Sequence, residues 1–410
     1  MFFVWQPTTA QFTISAELRP RTEFREGYRR MPEKDEKAAA FVYQRSRLNL
    51  EYSQERVTTY LSLQDIRVWG QDPQKIHNPS FDVHQAWIEF QVNEEFALKA
   101  GRQELRYDNQ RFLAINNWIM PGQKHDLLLA KYNSEAGQIH LGTAFNQSAD
   151  HINQNMANFG TTYPVNNYKY MNFAWYHTPL SEAGKISLLA MAEGNENTAN
   201  GTLYVRGTWS AYSQWEFRNL SLIVNPAFQH GKTRQGQDVA AHYLRAELGL
   251  NPSGNLKTIA GIEYFSGNDF TNEDDTRYRV FDPTQGAGHG HNGYMDYFTN
   301  FPAHTRGAGL INPFLKNRIN INTLTYLDVD FHGFLLANNY VHNQQVIDSF
   351  LGTELDLTLG YRFNSFTQIM MGYSFMFGTE SMEIIRGGSK DRWAQWAFLM
   401  VTIRPVFFKS

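Results

Sequence analysis

The chain has no cysteine. That excludes disulfides, a thiolate nucleophile and a zinc site built on Cys. It has no unbroken apolar run of the roughly 18 to 20 residues that a membrane-crossing helix needs. Mean hydropathy is −0.49. Charged residues make up 19% of the 410, below the usual share of about 25%. The net charge of −3 is too small to draw nucleic acid. No long segment repeats its apolar residues at the helical period. There is no Gly-x-Ser-x-Gly, no His-Glu-x-x-His and no phosphate-binding loop, so nothing marks an enzyme. These absences leave one membrane class open. A transmembrane barrel escapes hydropathy because every second residue faces its lumen.

What the chain does have is aromatic side chains, 15% of the total, and long alternation. In "FTISAELRPRTEFR", residues 12–25, the even positions Phe12, Ile14, Ala16, Leu18 and Phe24 are apolar or small. The odd positions carry Glu17, Arg19, Arg21, Glu23 and Arg25. Side chains of a strand point alternately to opposite faces. One face is therefore greasy and the other ionic, over a length well beyond the usual five or six residues of a strand. "QRSRLNLEY" (44–52), "AHYLRAELGL" (241–250), "ELDLTLGYRF" (354–363) and "AFLMVTIRPVFF" (397–408) repeat the pattern. On this reading Leu48, Leu50, Leu355, Leu357, Leu399, Val401 and Ile403 point to lipid.

The connections alternate too. Short turns at 53–56, 93–95, 133–137, 181–184, 251–255 and 364–365 separate longer loops at 26–38, 70–80, 107–121, 148–167, 194–200, 230–237, 267–304, 338–349 and 378–391. That rhythm predicts an all-β fold, a transmembrane up-and-down antiparallel β-barrel of about 18 strands. The segment 305–322 is the least clear, and 16 strands would also fit. Lipid accepts one face and a wet lumen the other, and closure of the sheet satisfies every backbone group. A soluble β-sandwich or propeller would bury the apolar face instead, with shorter strands. Pro20 and Pro405 sit inside strand patterns and predict bulges or missing ladder bonds. Residues 1–10, "MFFVWQPTTA", read as a signal-peptide remnant or disordered start, and 11–410 as one barrel domain.

Several stretches resemble the alginate export family of outer-membrane barrels, which has many members in the Bacteroidetes. They are "ELRPRTEFREGY" (17–28), "GRQELRYDNQR" (101–111) with "KHDLLLAKY" (124–132), the long "GNDFTNEDDTRYRVFDPTQGAGHGHNGYMDYF" (267–298), and "LGTELDLTLGYRF" (351–363) with "GYSFMFGTESME" (372–383). The likeness runs over nearly the whole chain. It implies a monomeric barrel of eighteen strands in the outer membrane of a Gram-negative bacterium, touching lipid and lipopolysaccharide. The founding type exports the anionic polysaccharide alginate through a basic lumen, and many relatives resemble porins. "FDPTQGAGHGHNG" departs from the family's tyrosine-glycine form before the His.

Alternation assigns a basic set to the lumen: Arg19, Arg21, Arg25, Arg45, Arg47, Lys99, Arg206, Arg245, Arg362 and Arg404. An acidic set shares that face: Glu17, Glu23, Glu51, Glu89, Glu247, Glu263, Glu354 and Asp356. Such groups either filter anions by bidentate pairing or brace the wall as cross-strand ion pairs. Their near balance predicts a mixed lumen with a modest anion preference. Trp69, Trp87, Trp175, Trp209, Trp393 and Trp396 are candidates for interfacial girdles. Isolated histidines such as His140, His242 and His332 read as lumen or girdle residues. The longest loop, 267–304, should fold inward, narrow the pore and meet the wall arginines. Its candidate constriction is Phe281, His289, His291, Tyr294, Asp296 and Tyr297, with Phe298 as a further anchor. Asp269, Glu273, Asp274 and Asp275 form an oxygen-rich stretch without EF-hand spacing. No metal or other cofactor is assigned. The expected function is a passive outer-membrane channel for hydrophilic, anionic or saccharide solutes. The alternative is a structural or accessory barrel, plugged by its own loops, within a larger envelope assembly.

Overall fold

The computed structural model describes residues 10–75, 80–147, 167–272 and 274–410. The signal-remnant reading of the N-terminus falls almost wholly outside them. Fifteen long strands follow in order: β1 (Gln11–Glu26), β2 (Ala39–Gln54), β3 (Val57–Val68), β4 (Phe81–Gln91), β5 (Phe96–Gln103), β6 (His125–Ser134), β7 (Gly137–Phe145), β8 (Tyr170–Pro179), β9 (Gly184–Glu196), β10 (Leu203–Phe217), β11 (Leu220–Lys232), β12 (Asp238–Ser253), β13 (Leu256–Phe265), β14 (Leu310–Asn320) and β15 (Thr325–Leu336). A two-strand ribbon, β16 (Val341–His342) and β17 (Gln345–Val346), sits in the next loop. The wall resumes with β18 (Phe350–Arg362), β19 (Thr367–Gly378), β20 (Ala394–Ile403) and β21 (Val406–Lys409). Helix is confined to two loop segments, α1 (Phe301–His304) and α2 (Glu380–Arg386).

Each wall strand pairs antiparallel with its neighbour, and β1 closes the circle against β20 and β21. The last two form one interrupted stave, so the nineteen strands of the sheet make an eighteen-stave barrel. The unclear region after residue 305 contributes β14. Eight short turns lie at one end with the start of β1 and the end of β21, and nine longer connections lie at the other.

Proline marks where the ladder fails. Pro405 separates β20 from β21, and the β1 register shifts between Ile14 and Ser15 beside it. Opposite Arg19 and Pro20 the β1–β20 ladder skips, although Pro20 stays in register with Gln44 on the other side. Pro226 and Pro313 do the same to the β10–β11 and β14–β15 ladders. A residue with no N–H turns its missing donor toward one neighbour only.

The faces are inverted relative to a soluble protein. Glu17, Arg19, Arg21, Glu23, Arg45, Glu354 and Asp356 are buried, while Leu18, Phe24, Leu48, Leu244, Phe331 and Leu399 are exposed. On β18 the inward Glu354, Asp356 and Thr358 are buried and the outward Leu355, Leu357 and Leu359 stay half-exposed. Exposed apolar bands of this extent mark a surface made for lipid. Trp69, Trp209 and Trp393 are exposed on the outside. The girdle expectation fails for three others. Trp87 carries Lys99 over its ring at 3.6 Å, Trp175 donates to Asp108 at 3.1 Å, and Trp396 is wholly buried. Their strand parity puts them on the inner face, and alternation alone could have shown it.

Candidate functional site

Among the described residues, two long loops fold into the lumen. The first, 104–124, joins β5 to β6. It enters because part of the inner wall is apolar: Leu127, Leu129, Met171, Phe173, Leu189 and Met191 all turn inward and are buried. Leu105, Tyr107, Phe112 and Leu113 from the loop join them in one core. Burying each such side chain is worth about 1.5–3 kcal/mol relative to exposure. Burial raises the pKa of Asp108 in this loop, even though its carboxylate accepts from Trp175.

Arginines of β1 and β2 hold the far side of this loop. Arg19 Nη1 donates to the Asn117 carbonyl at 2.7 Å, and Arg21 Nη1 to the Trp118 carbonyl at 2.9 Å. Arg45 donates to the Met120 carbonyl at 3.2 Å and to Asn117 Oδ1 at 2.8 Å. Glutamates aim these cations. Glu17 accepts from Arg45 Nε at 2.7 Å and from Arg404 Nε at 2.8 Å. Glu23 accepts from Arg21, Arg25 and the Trp396 indole, at 2.8, 2.8 and 2.9 Å.

The second loop, 266–309, joins β13 to β14 and contains α1. Its Phe281 packs against Phe112, Tyr243 and Phe265 at 5.3–6.2 Å between ring centroids. Arg111 of the first loop bridges to it, reaching Glu263 at 2.9 Å, Asn292 Oδ1 at 3.2 Å and the Ala287 carbonyl. Arg245 Nη1 donates to His291 Nδ1 at 3.1 Å, and Lys316 Nζ to the Gly290 carbonyl at 2.5 Å. A guanidinium donor on that ring nitrogen requires His291 to be neutral. Burial, with Arg245, Arg111 and Lys316 nearby, drives its pKa well below the ordinary value. The amides of Tyr294 and Met295 donate to Asp356 and Glu354 at 3.3 and 2.8 Å. Gly293 has φ +78°, and a Cβ there would lie 2.2 Å from a Glu354 oxygen, so only glycine fits.

The loops lock together at an aromatic stack. Trp118 lies on His289 at 4.1 Å and 5°, and His289 on Tyr294 at 4.9 Å and 9°. Arg21 caps the Trp118 ring at 4.3 Å. His289 Nδ1 donates to Asp296 at 2.8 Å, and the Tyr28 hydroxyl donates to the same carboxylate. Burial alone would raise the Asp296 pKa, but the His289 and Tyr28 contacts outweigh it and hold it below the ordinary value.

The inward fold of the 267–304 segment is as the sequence suggested, and it meets two of the expected wall arginines, Arg245 and Arg206, but not the β1 and β2 arginines Arg19, Arg21 and Arg45. Those are already taken by the 104–124 loop; the segment also meets Lys316, Glu354 and Asp356. Phe281 and Tyr297 are wholly buried, so they anchor the loop and offer no surface to a passing solute. His289, His291, Tyr294 and Asp296 form its inner knot. Arg47 contacts Gln64 at 3.0 Å and Glu104 at 3.9 Å, and Arg206 contacts Glu193 and Asp282 at 3.4 and 3.5 Å. Arg245 also pairs with Glu247 and, at 3.2 Å, with Glu263. Glu51 and Arg362 are exposed near the short-turn end, away from both loops. Lys99, Lys131, Arg25 and Arg404 keep partly open charged heads. In the oxygen-rich stretch, Asp269 accepts from Thr271, and Asp275 from Arg277 and Arg279; Glu273 lies outside the described residues.

The 104–124 loop was the element sequence reasoning missed. A signal was present: "DLLLA" (126–130) and "SLLAMA" (187–192) are apolar on both faces. A greasy lumen wall needs a cover, and "LRYDNQRFLA" (105–114), which carries Leu105, Tyr107, Phe112 and Leu113, is the loop next to it.

A closed eighteen-stave barrel, apolar outside and ionic inside, with long loops folded into its bore, is an outer-membrane barrel of the channel type. The alginate export family profile matches residues 10–382, and the chain belongs to that family. It is therefore a protein of the Gram-negative outer membrane, a channel and not an enzyme. Among solved structures it is similar to Pseudomonas aeruginosa OccK3 (OpdO), 12% identical over 97% of this chain and 96% of that one, TM-score 0.64. P. aeruginosa OccK9 (OpdG) gives 11% identity, 97% and 98% coverage and TM-score 0.65. Acinetobacter baumannii OccAB4 gives 12%, 98%, 99% and 0.63. At these identities the likeness is one of fold. No curated protein matches the sequence.

Proposed function

We propose that the barrel passes small hydrophilic solutes passively and favours anions, carboxylated saccharides among them. The 104–124 and 266–309 loops set the size limit. Half-exposed Lys99, Lys131, Arg25 and Arg404 on the inner side supply the charge preference. The observation that carries this reading is the fastening of both loops to the inner wall by buried ion pairs and backbone hydrogen bonds. Such anchors narrow a bore at a fixed width. Buried arginines such as Arg19 and Arg45 serve as positioning groups for the loop, because their terminal nitrogens are spent on its carbonyls. Partly exposed cations are the ones that can meet a solute carboxylate in a bidentate or point-charge contact.

Single-channel recording in planar bilayers, with chloride replaced by gluconate and potassium by a bulky cation, tests the reading. Discrete conductance steps with an anion-selective reversal potential are expected. Silence in the bilayer, with correctly folded protein inserted, would favour a barrel plugged by its own loops that serves a larger envelope assembly.

A further inference from the structure

The inner face of β18 and β19 has a charge problem that its neighbours do not solve. Glu354 and Asp356 stand two residues apart on β18 and are 0% and 1% exposed. Among the described residues neither forms an ion pair. Each carboxylate gives one oxygen to the loop: Glu354 Oε1 takes the Met295 amide, and Asp356 Oδ2 the Tyr294 amide. The other two oxygens, Glu354 Oε2 and Asp356 Oδ1, are buried without a well-formed hydrogen bond, although Asp356 lies close enough to Glu354 and Ser374 to interact with both.

Two hydroxyls share that condition. Ser374 on β19 faces Asp356 directly in the register, and Thr358 is the next inward residue on β18. Both are wholly buried, and Ser374 Oγ and Thr358 Oγ1 are unpartnered as well. Direct cross-strand partners and same-face neighbours lie within about 5–8 Å at Cβ. Four unanswered oxygens thus fall on one small patch behind the loop.

The surrounding charges do not balance. On β15, Asp330 pairs with Lys316 of β14 at 3.8 Å, and Asp328 pairs with Arg318 at 2.7 Å. His332, across from Glu354, accepts or donates only at Nδ1, to Asn312. On β20, Trp396 faces Ser374 and brings no charge. From the loop come only the amides and the Tyr294 ring. Lys316 acts on Asp356 but is shared with Asp330, so Glu354 and Asp356 hold two negative charges with no cation of their own. Buried charge without a partner is too costly to persist. Two protons or one divalent cation would settle it.

We propose that this patch binds one hard divalent cation, calcium by preference, through Glu354 Oε2, Asp356 Oδ1, Thr358 Oγ1 and Ser374 Oγ, completed by water. All four donors are oxygens, two of them carboxylate, which suits calcium's flexible coordination better than the strict octahedron of magnesium. No three His, Asp or Glu side chains converge among the described residues, so the hydroxyls are integral to the donor set. The same two carboxylates hold the loop amides, and the ion ties residues 293–295 to the wall.

The full chain, purified in detergent and stripped with EDTA, is titrated with terbium under excitation of tryptophan, then with calcium in competition. Trp396 beside Ser374 is placed to sensitise the emission. One saturable site displaced by calcium is expected. Glu354→Gln and Asp356→Asn should each weaken it by more than about tenfold. Thr358→Val keeps both charges and the fold and should weaken it several-fold. An Asp269→Asn/Asp275→Asn variant in the exposed acidic stretch should bind as before. Absence of a saturable site would mean the pair is neutralised by protons and would overturn the proposal. So would binding lost in the Asp269/Asp275 variant but kept in Asp356→Asn. Should either carboxylate variant fail to assemble, unchanged affinity in Thr358→Val refutes it by itself.

Discussion

Trp118 lies flat on His289, with ring centroids 4.1 Å apart and planes 5° from parallel. The two residues are 171 positions apart and sit on different loops, so the stack is a joint between them. Aromatic pairs of this kind contribute about 0.5–1.5 kcal/mol beyond area burial. Trp118→Ala and His289→Ala should each loosen the same joint. In a double-mutant cycle on thermal stability the coupling should be about 1 kcal/mol. Single-channel conductance should rise in each variant and no further in the double. Additive effects would mean that the loops are held independently.

Arg45 is wholly enclosed, with Glu17 on one side and the Met120 carbonyl on the other. Arg45→Gln would leave Glu17 with Arg404 and, at 4.0 Å, Arg19, and release two anchors of the 104–124 loop. Breaking a buried pair from one side costs about 3–5 kcal/mol. We expect the low end, because Arg404 remains at 2.8 Å. The melting temperature, read from the heat-dependent shift in gel mobility, should fall clearly. Arg362→Gln, at an exposed position, should leave it unchanged.

The strand and loop order was legible in the sequence because both faces of β1, β2, β18 and β20 obey one rule, apolar to lipid and polar to lumen. So were the parity of Leu357 against Asp356 and the inward fold of the longest loop. What alternation does not state is what covers the inner face. Arg19 and Arg45 looked like filter groups because their side of the sheet was right. Their partners, the carbonyls of 117–120, come from a loop about a hundred or fewer residues away in sequence with no charge pattern of its own. Trp87, Trp175 and Trp396 were read by residue type when parity was the better guide. Arg206, by contrast, finds Glu193 across the adjacent strand, the kind of pair that register reveals.

Leu357 and Asp356 are neighbours on β18 that face opposite solvents. A cation at the bilayer midplane on the lipid face costs about 2–4 kcal/mol. Leu357→Arg should therefore reduce folding yield into lipid vesicles. Asp356→Asn keeps an acceptor for the Tyr294 amide and should assemble at the yield of the unaltered chain. Equal yields for both variants would contradict the face assignment.

The last prediction concerns acid. His291 accepts from Arg245 at Nδ1 and is close to Arg111 and Lys316, so its protonation would place a fourth cation in a buried cluster. Burial and those three cations hold its pKa well below the ordinary value of 6.5. The unfolded or undocked loop, with a pKa near 6.5, then binds more protons than the docked one. By linkage, stability falls as pH falls wherever the looser state takes up more protons. The contribution of His291 is therefore complete above about pH 6.5, and it is lost progressively as pH drops toward the lowered value. Docking of the 266–309 loop should weaken between neutral pH and about pH 5. Amide exchange of residues 287–295, followed by mass spectrometry, should accelerate over that range beyond the intrinsic chemical trend. His291→Gln presents a side-chain oxygen to the Arg245 donor and cannot protonate. It should flatten the pH dependence while preserving slow exchange at neutral pH. If the variant and the unaltered chain follow the same curve, the acid response comes from another group, such as Asp296 with its lowered pKa, and His291 is a passive filler of the knot.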